Sequence, residues 1–294
     1  MKRVLLFFVS VSICYTGFSQ SRADSLIRLL KKEIDRQDVY VNQKLQRIEK
    51  LRQQLPGIER AELGRQFELY NAFYHEYKTF IYDSAFRYAQ RLTQTAYQMN
   101  DKSRIGYARV KLSFILLSSG MFKETFDSLQ VVEVKYLADT SRIDYYRLLA
   151  RAYSDLTVYN KDHYYRNAYV GQDRQYMDSA LMWSKPDSYH HYYLTSIKEL
   201  AAENFQQVIT TIQTLLKRHA LTYPQLAVNY YDMAEAYEGL HQQDKALEYL
   251  ILSSLSDLRA PTKETAAMYT LARLLYEKGD TENAYVFIRQ ALND

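Results

Sequence analysis

Apolar residues recur three and four positions apart along most of the chain, the spacing that gathers them on one face of an α-helix. Between residues 22 and 55 the stripe is Ile27, Leu30, Ile34, Val41, Leu45, Ile48 and Leu55. It predicts one long helix. Polar Gln37 and Asp38 interrupt the stripe, which argues against a sustained coiled coil, and "LPG" at 55–57 ends it. The expectation is a capping helix within residues 20–60, packed on the first helical unit after it.

Further along, the stripes come in pairs. Pro186, Pro224 and Pro261 stand 38 and 37 residues apart, and proline ends a helix at the residue before it. The segments beginning at Tyr189, Ala227 and Thr265 align without gaps at period 38. Tyr193, Tyr231 and Tyr269 share one column. Ser196, Ala234 and Ala272 share another, small enough for two helices to approach closely. Val208, Ala246 and Ala284 form a third, followed one turn on by Ile212, Leu250 and Ile288. Short polar turns, "ENF", "HQQ" and "KGD", separate the halves. The pattern predicts helix–turn–helix units at 189–226, 227–264 and 265–294. Looser copies extend the array back to residue 61, with Ser113 and Gly120 in one, and Ala85 with bulky Phe73 in the other.

One unit is irregular. "IDYYRLLARAYSDL" (143–156) reads as a first helix with Ala150 at its small position, yet the next suitable small residue, Ala180, comes thirty positions later. Residues 159–175 therefore read as an insertion at a hairpin tip, before a second helix cut short by Pro186. Tyr159, Tyr164, Tyr165 and Tyr169 lie in it. They either form an aromatic lip for a peptide or sugar, or fold back to fill the gap. "DSA" at 83–85 and 178–180 is expected to open second helices, Asp serving the helix N-terminus.

Composition agrees with an all-α chain: 8 glycines and 4 prolines among 294 residues leave little material for long loops. The start, MKRVLLFFVSVSICYTGFSQ, has the layout of a secretory signal peptide over residues 1–19, with Gly17 and Ser19 before a cut at Gln20. An uncleaved anchor is the alternative. Ile13 before Cys14 disfavours lipid attachment, which wants a small residue there. Cleavage removes the single cysteine, and with it any disulfide or cysteine site. Losing Lys2 and Arg3 also brings the formal net charge from +4 to +2, so neither charge nor export points to nucleic acid as a partner of this segment.

The units resemble the tetratricopeptide repeat. Ala234, Tyr237 and Ala246 fit its pattern in one copy, and Ala272, Gly279, Ala284 and Ala291 in the next. Leu275 departs at the aromatic position, and Glu203 and His241 stand where Gly is usual. The resemblance implies a right-handed superhelical solenoid whose first helices line a concave groove. Carried over, the groove-facing column is Tyr193, Tyr231 and Tyr269, with His190, Glu235, Arg273 and Tyr276 beside it. Such a ladder suits an extended peptide or a partner's helix, unless its rings pack on neighbouring helices. The order of features also resembles the exported repeat region of bacterial membrane-anchored transcription regulators, in which a membrane helix and a DNA-binding tail come after the repeats. This chain stops at "RQALND", so it is expected to be either part of a longer receptor or a free-standing periplasmic scaffold or glycan-binding accessory protein whose last repeat is covered by a partner. On these readings the membrane is met only through an uncleaved signal or a later helix.

Catalytic chemistry is not expected. The six histidines show no metal-ligand spacing, and no phosphate-binding Gly-rich loop or nucleophile elbow is present. No metal or cofactor is therefore anticipated, and the partner expected is a protein or peptide.

Overall fold

A computed structural model describes residues 17–58, 62–160 and 162–293. The apolar run of the proposed signal peptide lies outside them. Fourteen α-helices follow one another among the described residues. The first two are α1 (Gly17–Ile34) and α2 (Gln37–Arg52). Six antiparallel hairpins come next: α3 (Leu63–Tyr77) with α4 (Tyr82–Gln98), α5 (Lys102–Ser118) with α6 (Phe122–Gln130), and α7 (Asp139–Tyr159) with α8 (His163–Trp183). The last three are α9 (Tyr189–Ala201) with α10 (Phe205–Arg218), α11 (Tyr223–Gly239) with α12 (Gln243–Arg259), and α13 (Ala266–Glu277) with α14 (Thr281–Asn293). The whole is a helical repeat solenoid.

The small columns do what their size predicts. Ser113, Ala150, Ser196, Ala234 and Ala272 are buried on the first helices. Ala85, Thr125, Ala180, Val208, Ala246 and Ala284 are buried on the second. Phe73, bulky in its unit, is accommodated by stacking on Tyr88 of α4 with ring centres 4.2 Å apart. Four hairpin tips carry a left-handed residue: Gly120 (φ 76°), Glu203 (φ 58°), His241 (φ 59°) and Gly279 (φ 86°). Glu203 and His241 thus adopt the glycine conformation without being glycine, a strain on the order of 1 kcal/mol each. Gly239 serves another purpose, since a Cβ there would stand 2.4 Å from the Phe205 ring.

Two expectations are corrected. The N-terminal segment is a bent pair of helices, broken at Asp35–Arg36, and the bend sends the two halves to different partners. Helix α1 lies against α12 in the fifth hairpin, where Ile27 and Leu30 enter the core of Val208, Ile212, Met233 and Leu250. Only α2 rests on the first hairpin. After the break the buried face shifts, so Leu45 is exposed and Lys44 is buried in its stead. The Lys44 ammonium donates to the Pro261 carbonyl at 3.0 Å and sits 5.0 Å from the Phe80 ring centre. Burial lowers its pKa to about 8. The tip of the first hairpin also joins the link after α12, Lys263 N–H donating to Thr79 C=O at 2.8 Å. The start of the chain therefore ties the first hairpin to the fifth.

The second correction concerns residues 159–175, of which Tyr159 ends one helix and residues 163–175 begin the next. Helices α7 and α8 each have 21 residues, so the extra length projects as a longer hairpin. Its second helix is not cut short. Ala180 packs beside Ile143 near the base, and "DSA" at 178–180 lies inside α8 instead of opening it.

Replacing Leu30 by Ala should cost about 2–5 kcal/mol in urea unfolding, the range for a fully buried leucine. The same change at accessible Leu29 should stay within about 0.5 kcal/mol.

Candidate functional site

The first helices of successive hairpins stand side by side, and their facing polar groups form a ladder. Tyr107 of α5 donates to Asn71 of α3 at 2.8 Å and approaches His75 at 3.4 Å. Lys111 of α5 donates to Asp144 of α7 at 3.0 Å. Tyr189 of α9 lies against Asn229 of α11, and Arg273 of α13 donates to Glu238 of α11 at 2.7 Å.

Between α7, α8 and α9 the ladder opens into a pocket of about 390 Å³. Tyr193, Met177 and Ile197 supply apolar wall, Ala201 and Ala202 supply space, and Arg147, Arg151, Arg174 and Lys198 bring charge. This volume falls in the range of small-ligand and anchor pockets. Most of the charge is already matched: Lys198 donates to Asp178 at 2.6 Å and Arg151 stands 3.5 Å from Asp155. Arg147 also lines a smaller recess of about 90 Å³ with Lys78, Lys111 and Asp144, so the two hollows share a wall.

The groove residues expected from the sequence occupy three places. Tyr193 lines the central pocket, and His190 lies outside that lining, near the charges of Asp144 and Arg147. Burial lowers the His190 pKa, and Arg147 and Lys111 push it the same way against the pull of Asp144. Tyr231 is half-buried against Thr270 of the next first helix, with Glu235 nearby. Burial, and then Glu238, raises the Glu235 pKa. Tyr269, Arg273 and Tyr276 line a separate hollow of about 380 Å³ on the last hairpin, with Tyr285 and Ile288. The expected groove column is therefore divided, and of it Tyr193 lines the central pocket. Tyr231 does reach the following first helix at Thr270, Tyr193 engages Arg147 of the preceding one, and Tyr269 is 56% exposed.

The four tyrosines of the long hairpin divide as well. Tyr169 packs toward Tyr153, and Tyr159 meets the Phe122 ring edge-on at 5.6 Å. Tyr164 is 81% exposed, and Tyr165 beside it is half exposed at the tip. They are neither a full lip nor a plug. The gap-filling ring of this hairpin is Tyr176, stacked on Tyr153 with centres 5.7 Å apart.

Arg147, Lys111, Asp144 and Asp232 were not anticipated. Arg147 had a legible signal: it stands three residues before Ala150, as Tyr193 stands three before Ser196, and so belongs to the groove column. Asp232 is buried, with one carboxyl oxygen lacking a partner. Burial, then the charge of Glu235, raises its pKa to about 7. Among the described residues no group of three or more His, Cys, Asp or Glu is placed to hold a metal ion, and no helix is long and apolar enough to cross a membrane.

Stacked helical hairpins with a concave face and an anchor-sized pocket define an interaction scaffold of the tetratricopeptide type. More narrowly, the chain belongs to the family of the SusR N-terminal TPR domain, whose family model matches residues 34–294. Among solved structures it is similar to TTC0263, a thermophilic TPR protein of Thermus thermophilus. The identity is 15% and the TM-score 0.52, over 73% of this chain and 99% of that one. A looser likeness is to MamA (41-end) from Desulfovibrio magneticus RS-1, at 15% identity and TM-score 0.32 over 78% of this chain and 94% of that one. No curated protein matches the chain.

Because Asp232 has a pKa near 3.8 when unfolded and about 7 when folded, the native state keeps a proton that the unfolded chain loses between those values. Stability should therefore fall as pH rises from about 4 to about 7. Asp257, raised to about 7 mainly by burial, acts in the same direction. In chemical unfolding at stepped pH, Asp232→Asn should lose less stability over that interval than the wild type. Identical profiles would contradict the burial argument.

Proposed function

We propose that this domain is the exported, ligand-sensing part of a membrane-anchored regulator, and that it binds a protein or peptide segment along its concave face. The observation that carries the reading is the 390 Å³ pocket opening between α7, α8 and α9, where an accessible apolar wall adjoins charged groups at the middle of the groove. An extended segment lying along the first helices would place one side chain there. Membership of the SusR N-terminal domain family supports the regulator reading, and the hydrophobic leader with its small residues at 17 and 19 supports export. The protein acts by binding, not catalysis.

A second reading has its own observation. Tyr164 and Tyr165 sit at the end of the long hairpin with their faces largely in water, as a contact surface for a protein or glycan would require. In that case the hairpin tip, not the groove, would carry recognition in a periplasmic scaffold.

Ala202→Trp tests the first reading, because Ala202 lines the pocket, is accessible, and can be enlarged without entering the core. Peptides selected from a random library on the wild-type protein should lose about tenfold or more in affinity for this variant, measured by fluorescence anisotropy. Unchanged binding to Ala202→Trp, with loss on Tyr164→Ala, would move recognition to the tip.

A further inference from the structure

Helix α14 leaves open a face that the same pattern buries one and two hairpins earlier. Its Tyr285 and Ile288 stand on the columns occupied by Leu247 and Leu250 in α12 and by Ile209 and Ile212 in α10. Those four are core residues, covered as each hairpin stacks on the next. Tyr285, by contrast, is 65% exposed, and Leu292 farther along the helix is 77% exposed. Beside α14 lies the hollow of about 380 Å³, whose other wall is Tyr269, Arg273 and Tyr276 of α13. Arg273 is already held by Glu238 at 2.7 Å and Glu277 at 3.0 Å, so the hollow presents aromatic surface and not a free charge. Accessible tyrosine rings and a leucine gathered on one hairpin face form the kind of apolar patch that marks an interaction surface.

The charges beside that face indicate what covers it. Thr281, Tyr285, Ile288 and Leu292 recur at intervals of four, three and four residues, so they make one stripe along α14. Glu282 and Arg289, seven residues apart, lie along the same flank of the stripe. Both are exposed, and among the described residues neither has a hydrogen-bond or ion-pair partner. When two copies of such a helix lie antiparallel about a twofold axis, like flanks meet. An axis near residue 286 sets each Glu282 opposite the Arg289 of the other copy. The same register sets each Tyr285 opposite the other copy's Ile288, which lines the hollow. Parallel pairing would instead bring Glu282 to Glu282 and Arg289 to Arg289. The stripe and its charges are therefore complementary to themselves, and such charge matching fixes orientation and register.

We propose that α14 is the interface between two copies of this protein, paired antiparallel through Tyr285, Ile288 and Leu292 with reciprocal Glu282–Arg289 ion pairs. The inference is independent of whether the groove binds a peptide. Few large side chains take part on each side, which places the pair among small, reversible interfaces that form at roughly 10–100 μM.

Sedimentation velocity of the purified protein across that range tests it. The wild type should pass from monomer to dimer as concentration rises. Glu282→Arg and Arg289→Glu should each weaken dimerisation about tenfold or more, because each sets like charges together twice. The double swap Glu282→Arg/Arg289→Glu restores both pairs and should return the wild-type value, while Tyr285→Asp should leave monomer at every concentration. All three positions are exposed, and far-UV circular dichroism of each variant verifies that the helices remain. A wild type that stays monomeric throughout would overturn the inference and give the face to a helix of another protein or of a later segment. A dimer indifferent to the single reversals, or not restored by the double swap, would also overturn it, by placing self-association on another face.

Discussion

The close approach of the two helices within each hairpin is the constraint on which everything else depends. It is set by side chains too small to hold the backbones apart: Ser113, Ala150, Ser196, Ala234 and Ala272 on the first helices, answered by Ala85, Ala180, Ala246 and Ala284 on the second. Helices packed on small residues lie toward the short end of the usual separation of roughly 8–10 Å. Each hairpin then becomes a flat unit that stacks on the next with its first helix on one side. The groove is a consequence of this stacking, and so is the polar ladder, because residues spaced one repeat apart face one another across neighbouring first helices. A bulky side chain in a small column would splay a hairpin and break the alignment on both sides. At Phe73 the fold escapes that outcome by offering the flat face of Tyr88.

The central pocket arises where the repetition is broken. Helices α7 and α8 run longer than their neighbours, and the chain turns into α9 through a link containing Pro186 and Asp187 instead of continuing the regular spacing. Ala201 and Ala202 at the end of α9 then face Arg147, Arg151 and Met177 with too little volume to fill the space. A void lined by arginine and lysine stems stays open because the charged ends cannot be buried cheaply. The closure of the chain's start onto the fifth hairpin is a separate break in the repetition. Helix α1 buries Leu30 against α12, and Glu33 at its end accepts from Tyr40 and approaches Arg259 at 3.6 Å, which holds the Glu33 pKa below the usual carboxylate range.

What could be read from the sequence was what repeats. Proline spacing, small columns and polar turns located the last three hairpins to within a few residues, because each rests on local sterics that one unit displays and the next restates. Contacts between distant parts were not legible. The stripe from Ile27 to Leu55 looked like one face, but Asp35–Arg36 divides it between two partners, and only tertiary packing decides that Lys44 goes in and Leu45 out. Residues 159–175 looked like a loop because Ala180 was paired with Ala150. In a longer hairpin it pairs with Ile143, and no local signal separates an inserted loop from two extended helices when the inserted residues are themselves helix-compatible. In the site, Tyr193 was legible from its column, and Arg147 stood in the same column one hairpin earlier. Lys111 and Asp144 owe their importance to charge across helices, which spacing does not encode.

The central claim is that recognition occurs on the first helices around Arg147 and Tyr193. Amide hydrogen exchange of the protein with and without a selected peptide tests it most directly, since it reports every helix at once. The account predicts added protection centred on α7, α9 and the pocket-lining part of α8 around Met177, with α10, α12 and the hairpin tip at Tyr164 unchanged. Protection concentrated at that tip, or along the second helices of the other hairpins, would contradict it.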